Sequence, residues 1–178
     1  MRFKLIDSRE VFKGEVLSLK VDTIELPSGR KSEREVITHR GAVGIIPVDE
    51  SGMIMLVSQF RHAVDKYLLE IPAGKLDAGE TPLECGRREL EEEIGVEAGV
   101  IDELARFYTT PGYSDEFFYL YIALELKKGK ASQPEEEITG VVEVTFDEAM
   151  KMIKTQEIED GKTIAAIGLA LEYLKSKA

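Results

Sequence analysis

Between Gly74 and Val96 the chain reads GKLDAGETPLECGRRELEEEIGV, and within it Glu89, Glu92 and Glu93 stand three and four residues apart. On a helix that spacing makes the three carboxylates neighbours on one face. Each like-charge pair costs an exposed helix about 0.2–0.5 kcal/mol, so the pattern opposes local stability unless something positive offsets it. Arg88 supplies part of the offset, one turn from both Glu84 and Glu92. Hard carboxylate oxygens in such a group suit Mg²⁺, with Mn²⁺ as the alternative. These ions hold a few carboxylates and complete their shell with water and substrate phosphates. The competing reading is a solvated acidic face. Against it stands the position of the cluster, just after a strand-like run, YLLEI, and a loop containing glycine, where α/β folds commonly place their sites.

The elements that would position these acids are written around them. Thr81, Pro82 and Glu84 in TPLE form a capping box with proline at the first helical position, and Gly95 stops the helix. At 100° per residue Leu83, Leu90 and Ile94 fall within about 40° of one another, which predicts one buried stripe. Gly86 beside them would permit close packing, and the acids would form a separate stripe. Upstream, Leu17 to Leu26 alternates, PSG turns, and Glu33 to His39 returns, which is a hairpin. AVGIIPV and MIMLVSQF around DESG read as a second, more buried hairpin, and YLLEI adds a strand. Downstream, LARFYTT, the turn PGYSD, FFYLYIALEL and VVEVTF continue the strands, with KKGKASQPEEEITG as a polar loop. Two helices close the chain, the first capped by Asp147 and the second by Asp160, with Ile164, Ile167, Leu171 and Leu174 at helical spacing.

The 178 residues, 43% apolar and 32% charged, fit one main soluble domain over residues 41–178. Residues 1–40 are too few to hold a core of their own. They must extend the main sheet or cross to a second copy, and a homodimer through the N-terminal strands is predicted. A formal net charge of -11 argues against nucleic acid and anionic membrane as partners. The N-terminus lacks a signal-peptide pattern and no apolar run approaches about 18 residues, so a cytoplasmic protein is expected. A lone Cys85 excludes an internal disulfide and a Cys-based zinc cluster, and its role is read as packing. His39 and His62 lack metal-pair spacing and read as structural or surface residues. Phe12, Tyr67, Phe107, Tyr108 and Tyr113 include candidates for stacking a base, although most read as core.

Gly74, five residues, Glu80, seven residues and then RELEEEIGV resemble the Nudix box, GX5EX7REUXEEXGU with U bulky and apolar, at every specified position. The resemblance implies an α/β/α sandwich around a mixed sheet, with a small N-terminal antiparallel β extension read from the chain itself. It also implies hydrolysis of a nucleoside diphosphate linked to another moiety, with a divalent metal. By position, Glu89, Glu92 and Glu93 resemble the metal-binding carboxylates, Arg88 the residue that orients them, and Glu80 a support for the loop; Gly74 and Gly95 are structural positions of the box.

SQFRHAVDKYLLEIPAGK resembles the segment before the box in the ADP-ribose pyrophosphatase branch, and Pro111, 15 residues beyond Val96, matches its downstream proline. PGYSDE and DGKTIAAIGLAL also look like that branch. The resemblance implies that the Ala73 carbonyl is a metal ligand, that Arg61 contacts phosphate, and that Glu70 and Glu116 bind substrate, Glu70 near the pyrophosphate or terminal ribose. It assigns the loop PEEEITG a catalytic carboxylate. Gly140 stands where a second Glu is common, which leaves the base among Glu135, Glu136 and Glu137, with Glu137 favoured. The expected reaction takes ADP-ribose to AMP and ribose 5-phosphate. The rivals are a Nudix pyrophosphatase for another nucleotide sugar or a dinucleoside polyphosphate, and a non-catalytic nucleotide-sensing module, which would not need every box carboxylate.

Overall fold

Runs of apolar and β-branched residues form ten strands, and the capped segments form three α-helices, in a computed structural model that describes residues 3–129 and 138–177. The chain divides into two compact units, Met1–Gly41 with Phe107–Phe118 and Ala42–Arg106 with Tyr119–Ala178. The class is the expected mixed α/β fold, with an N-terminal three-stranded antiparallel sheet.

The first unit carries β1 (Lys4–Lys13), β2 (Leu17–Glu25) and β3 (Lys31–His39) in that spatial order, all antiparallel. The predicted hairpin is β2–β3, closed where Gly29 takes φ 80° and its N–H donates to the Leu26 carbonyl. β1 was not predicted, because KLIDSREVFK lacks a sustained apolar alternation. All ten of its residues are exposed and its register with β2 shifts twice. The turn after residue 108 belongs to this unit. The Ile37 amide donates to the Tyr113 carbonyl at 2.7 Å and the Asp115 amide to the Ile37 carbonyl at 3.0 Å.

The second unit holds β4 (Ala42–Pro47), β5 (Met53–Arg61), β6 (Lys66–Glu70), β7 (Ala73–Lys75), α1 (Pro82–Ile94), β10 (Ile138–Thr145), α2 (Phe146–Lys154) and α3 (Gly161–Lys177), with most of β8 (Val96–Tyr108) and β9 (Phe117–Lys128). One sheet has the order β10-β5-β6 and the other β7-β4-β9-β8. The expected hairpin of β4 with β5 is therefore corrected. The two strands lie in different sheets, and the ladder between them is limited to an isolated bridge just past β4, Val48 to Ile54. AVGIIP is apolar without alternation because every residue of β4 is buried, with α1, α3 and β5 all in contact with it.

Two helix readings are also corrected. Thr145 caps α2 in a capping box with Glu148, and Asp147 lies inside the first turn, where it favours the helix dipole. α3 does follow Asp160, but it buries Thr163, Ala166, Ile167 and Ala170, and Ile164 is exposed. Small residues let this helix approach closely. Of the five aromatics read mostly as core, Phe12, Tyr67, Tyr108 and Tyr113 are exposed and only Phe107 is partly buried, tilted against Phe118. They fall on β1, near the start of β6, at the end of β8 and in the turn beyond it, away from the buried strand centres. Among the described residues no helix is long and apolar enough to cross a membrane.

Candidate active site

Helix α1 is fixed at both ends. The Glu84 amide donates to Thr81 Oγ1 and the Thr81 amide to Glu84 Oε2, and Gly95 at φ 68° donates its N–H to the Glu91 carbonyl. Between these caps the buried residues are Cys85, Gly86, Glu89, Leu90 and Glu93. Cys85 and Leu90 join Val43, Ile45, Tyr121 and Ala123 in one apolar cluster, against which Ile94 packs.

The predicted stripes are thus corrected. Leu83 is 40% exposed, and the acids do not form a separate face: Glu89 and Glu93, 6% and 5% exposed, share the buried side with Leu90, whereas Glu92 is exposed. The wheel gave their angle but not the shape of the layer below. Strand β7 provides there a backbone amide and a glycine in place of bulky side chains. The Ala73 amide donates to Glu93 Oε2 at 3.1 Å. A Cβ on Gly74 would stand 1.7 Å from Glu89 Oε1, so only glycine leaves room for that carboxylate. Gly86 differs, since a Cβ there would meet Val43 at 3.4 Å in ordinary contact, and packing does not require it.

Arg88 draws the acids together. Its Nε donates to Glu80 Oε1 at 2.9 Å and one terminal nitrogen to Glu80 Oε2 at 3.1 Å. The other terminal nitrogen donates to Glu89 Oε1 at 2.6 Å and Glu92 Oε2 at 3.0 Å. One planar guanidinium so fixes three carboxylates, a geometry lysine cannot supply. The Arg88 side chain holds the Glu80 carboxyl at about 2, and Glu80 in turn raises Arg88. Glu80 also accepts the Asp77 amide, which ties the glycine loop to the helix. Cys85 is fully buried. Burial pushes its thiol up to about 12, so it stays protonated and packs, as read from the sequence.

A second charged group lies in the same unit. Arg61 meets Glu70 in a two-pronged pair, Nε to Oε1 and a terminal nitrogen to Oε2, both at 2.7 Å, and Glu70 is 1% exposed. Both Glu70 oxygens are thereby engaged, and donating to that carboxylate raises the Arg61 pKa. Sequence reasoning missed its neighbours. Lys162 Nζ donates to Asp160 Oδ1 at 2.6 Å and stands 3.7 Å from Glu70 Oε2, and Thr163 Oγ1 accepts the Ile71 amide at 2.9 Å. In DGKT the sequence marks a helix cap at Asp160 and a resemblance, and nothing in its spacing points to residue 71.

Glu116 belongs to the first unit, where Thr109 Oγ1 donates to its Oε2 at 2.5 Å. Glu135, Glu136 and Glu137 lie outside the described residues.

The donor set fits a hard divalent cation. Two buried carboxylates sit against a strand whose glycine leaves room for one of them, and all donors are oxygens. Among the described residues no group of three or more His, Cys, Asp or Glu side chains could enclose a metal ion unaided. Such a partial shell suits Mg²⁺, which is held by one or two carboxylates together with substrate phosphates.

Comparison with known proteins agrees with this chemistry. Residues 38–167 match the NUDIX domain and residues 3–37 the nucleoside diphosphate sugar hydrolase N-terminal domain. A methanol dehydrogenase activator of Bacillus methanolicus is 42% identical over 97% of this chain and 92% of its own length. An ADP-ribose pyrophosphatase of Bacillus subtilis (strain 168) is 40% identical over 98% of this chain and 93% of its own. A solved ADP compounds hydrolase superposes with a TM-score of 0.91, covering 100% of this chain and 97% of that one at 22% identity, which speaks for the fold.

Proposed function

The chain belongs to the NUDIX family, and on that premise we propose that it hydrolyses the pyrophosphate bond of ADP-ribose to AMP and ribose 5-phosphate. It is a Nudix pyrophosphohydrolase. The observation that carries the chemistry is the buried pair Glu89 and Glu93, seated on Gly74 and Ala73 and braced by Arg88. The family generally uses divalent metals; here Glu89, Glu92, Glu93 and the Ala73 carbonyl would hold Mg²⁺, or Mn²⁺ in its place. When bound, the metal supplies charge neutralisation at the pyrophosphate and a lowered pKa for the attacking water.

The protein's own groups do the rest. Arg61, its plane fixed by Glu70, presents its donors to phosphate oxygens. Arg88 keeps the acids of α1 in register while their charges repel. A loop carboxylate, Glu137 before Glu135 and Glu136, accepts the proton of the attacking water. We further propose a homodimer formed through the N-terminal strands, supported by the apolar side chains Phe3, Leu5, Val11 and Phe12 exposed on and beside β1. A 178-residue monomer by light scattering at micromolar concentration would overturn it. A cytoplasmic location accords with the lone reduced cysteine.

A panel of ADP-ribose, other nucleotide sugars and dinucleoside polyphosphates, ranked by kcat/KM under Mg²⁺ and Mn²⁺, tests the substrate. ADP-ribose should lead. A higher kcat/KM for another member would move the assignment to that substrate, and ADP-ribose binding without turnover would replace the enzyme by a sensing module.

A further inference from the structure

Three consecutive residues before Gly74 are each anchored by a different element. The Ile71 amide is held by Thr163 Oγ1 of α3 at 2.9 Å, the Pro72 carbonyl by the Ile45 amide of β4 at 2.9 Å, and the Ala73 amide by Glu93 of α1 at 3.1 Å. Proline fixes φ in the middle of this run. The peptide that follows, which carries the Ala73 carbonyl, is held in turn by the antiparallel register of β7 on β4, with Ala73 opposite Gly44 and Gly74 opposite Val43.

The α3 anchor goes beyond what the helix needs. Asp160 Oδ2 already caps α3 by accepting the Thr163 amide at 2.9 Å, which any residue at position 163 except proline would provide. The Thr163 hydroxyl adds a directed relay: its proton goes to Asp160 Oδ2 at 2.8 Å, which leaves a lone pair aimed at Ile71. A carboxylate on the far side polarises the hydroxyl and strengthens it as an acceptor. Thr163 is 0% and Ile71 1% exposed, so no solvent competes. Lys162 balances Asp160 and reaches toward Glu70 on the same segment.

We propose that Thr163, oriented by Asp160, is a positioning residue that aims the Ala73 carbonyl for divalent-metal binding from α3, outside the Nudix box. This rests on the reading of Ala73, Glu89 and Glu93 as the metal site. Thr163→Val keeps the shape and removes the acceptor, and Thr163→Ser restores it.

The test is Mn²⁺ binding to the full chain without substrate, followed by electron paramagnetic resonance, in the wild type, Thr163→Val, Thr163→Ser and Glu93→Gln, with circular dichroism and thermal melting as checks of folding. Outer supports of a metal site are typically worth 10- to 100-fold in affinity, so Thr163→Val should weaken Mn²⁺ binding by about tenfold or more, and Thr163→Ser should return within about twofold of wild type. The Mg²⁺ concentration for half-maximal turnover should rise in parallel, with KM for ADP-ribose at saturating Mg²⁺ unchanged. A folded Thr163→Val that binds Mn²⁺ like the wild type, while Glu93→Gln loses it, overturns the positioning role alone. Wild type and Glu93→Gln binding Mn²⁺ equally would overturn the site reading and this proposal with it. Should Thr163→Val fail to fold, Asp160→Asn keeps a good N-cap without the charge. Weaker Mn²⁺ binding in that variant supports the relay, and unchanged binding overturns it.

Discussion

Helices α1 and α3 both hold the five residues from Glu70 to Gly74, but by opposite means. α1 meets the segment with charge: Glu93 takes the Ala73 amide, Glu89 fills the space over Gly74, and Arg88 gathers the carboxylates. α3 meets it with one lysine and one buried hydroxyl, the hydroxyl 92 residues along the chain from Ile71. The first grip is compact in sequence, because side chains three and four residues apart on one helix share a face. The second sets geometry and can come from anywhere the fold brings a side chain.

The comparison breaks most sharply at Glu93. Glu93→Gln keeps an oxygen to accept the Ala73 amide but loses the charge, and kcat/KM with Mg²⁺ should fall about a thousandfold, several kcal/mol at the transition state, with the melting temperature nearly unchanged. A loss no greater than that of Thr163→Val would erase the distinction between the two helices. Gly74→Ala comes next. Its methyl group must evict the Glu89 carboxylate, which costs about 10- to 100-fold in activity or metal affinity while the fold survives.

Arg88→Gln reads the stabilising role of the hub. Arg88 holds the Glu80 carboxyl at about 2 against an ordinary 4.5. A carboxyl depressed in the folded state contributes stability that is complete above about pH 4.5 and drains away as the pH falls toward 2. The variant should therefore melt below the wild type at pH 7, and the gap should close on acidification through that window. Thermal melts across pH read this directly, and a gap independent of pH would assign Arg88's contribution to packing. The smallest effect is expected at Gly86, where alanine replaces glycine in a helix interior with ordinary contacts. Gly86→Ala should be neutral or stabilise by up to about 1 kcal/mol in denaturant unfolding.

What the sequence made legible follows the same division. The caps of α1, the acid cluster and the β2–β3 hairpin are local, and each was readable from a few adjacent residues. Leu83 was misplaced because a helical wheel reports angle and not where the underlying layer ends; β7 offers a glycine and an amide there, which drew Glu89 and Glu93 into the buried face. β1 carries polar residues on both faces and owes its existence to pairing with β2. β4 and β5 looked like one hairpin because both are apolar, yet two-sided burial sends them to different sheets. Thr163 and Ile71 share no motif, and only the packing of α3 joins them. The acid cluster was thus readable within α1, and the contact of α3 with Ile71 was not.

The central claim is that the buried carboxylates of α1 serve divalent-metal-dependent cleavage of a pyrophosphate. Its most direct test incubates the purified chain with ADP-ribose while Mg²⁺ is titrated from zero, with products resolved by ion-exchange chromatography. AMP and ribose 5-phosphate should appear in equal amounts, rise to saturation with Mg²⁺, and stop on addition of EDTA. Absence of AMP at every Mg²⁺ and Mn²⁺ concentration, or AMP formation that persists in EDTA, would contradict it.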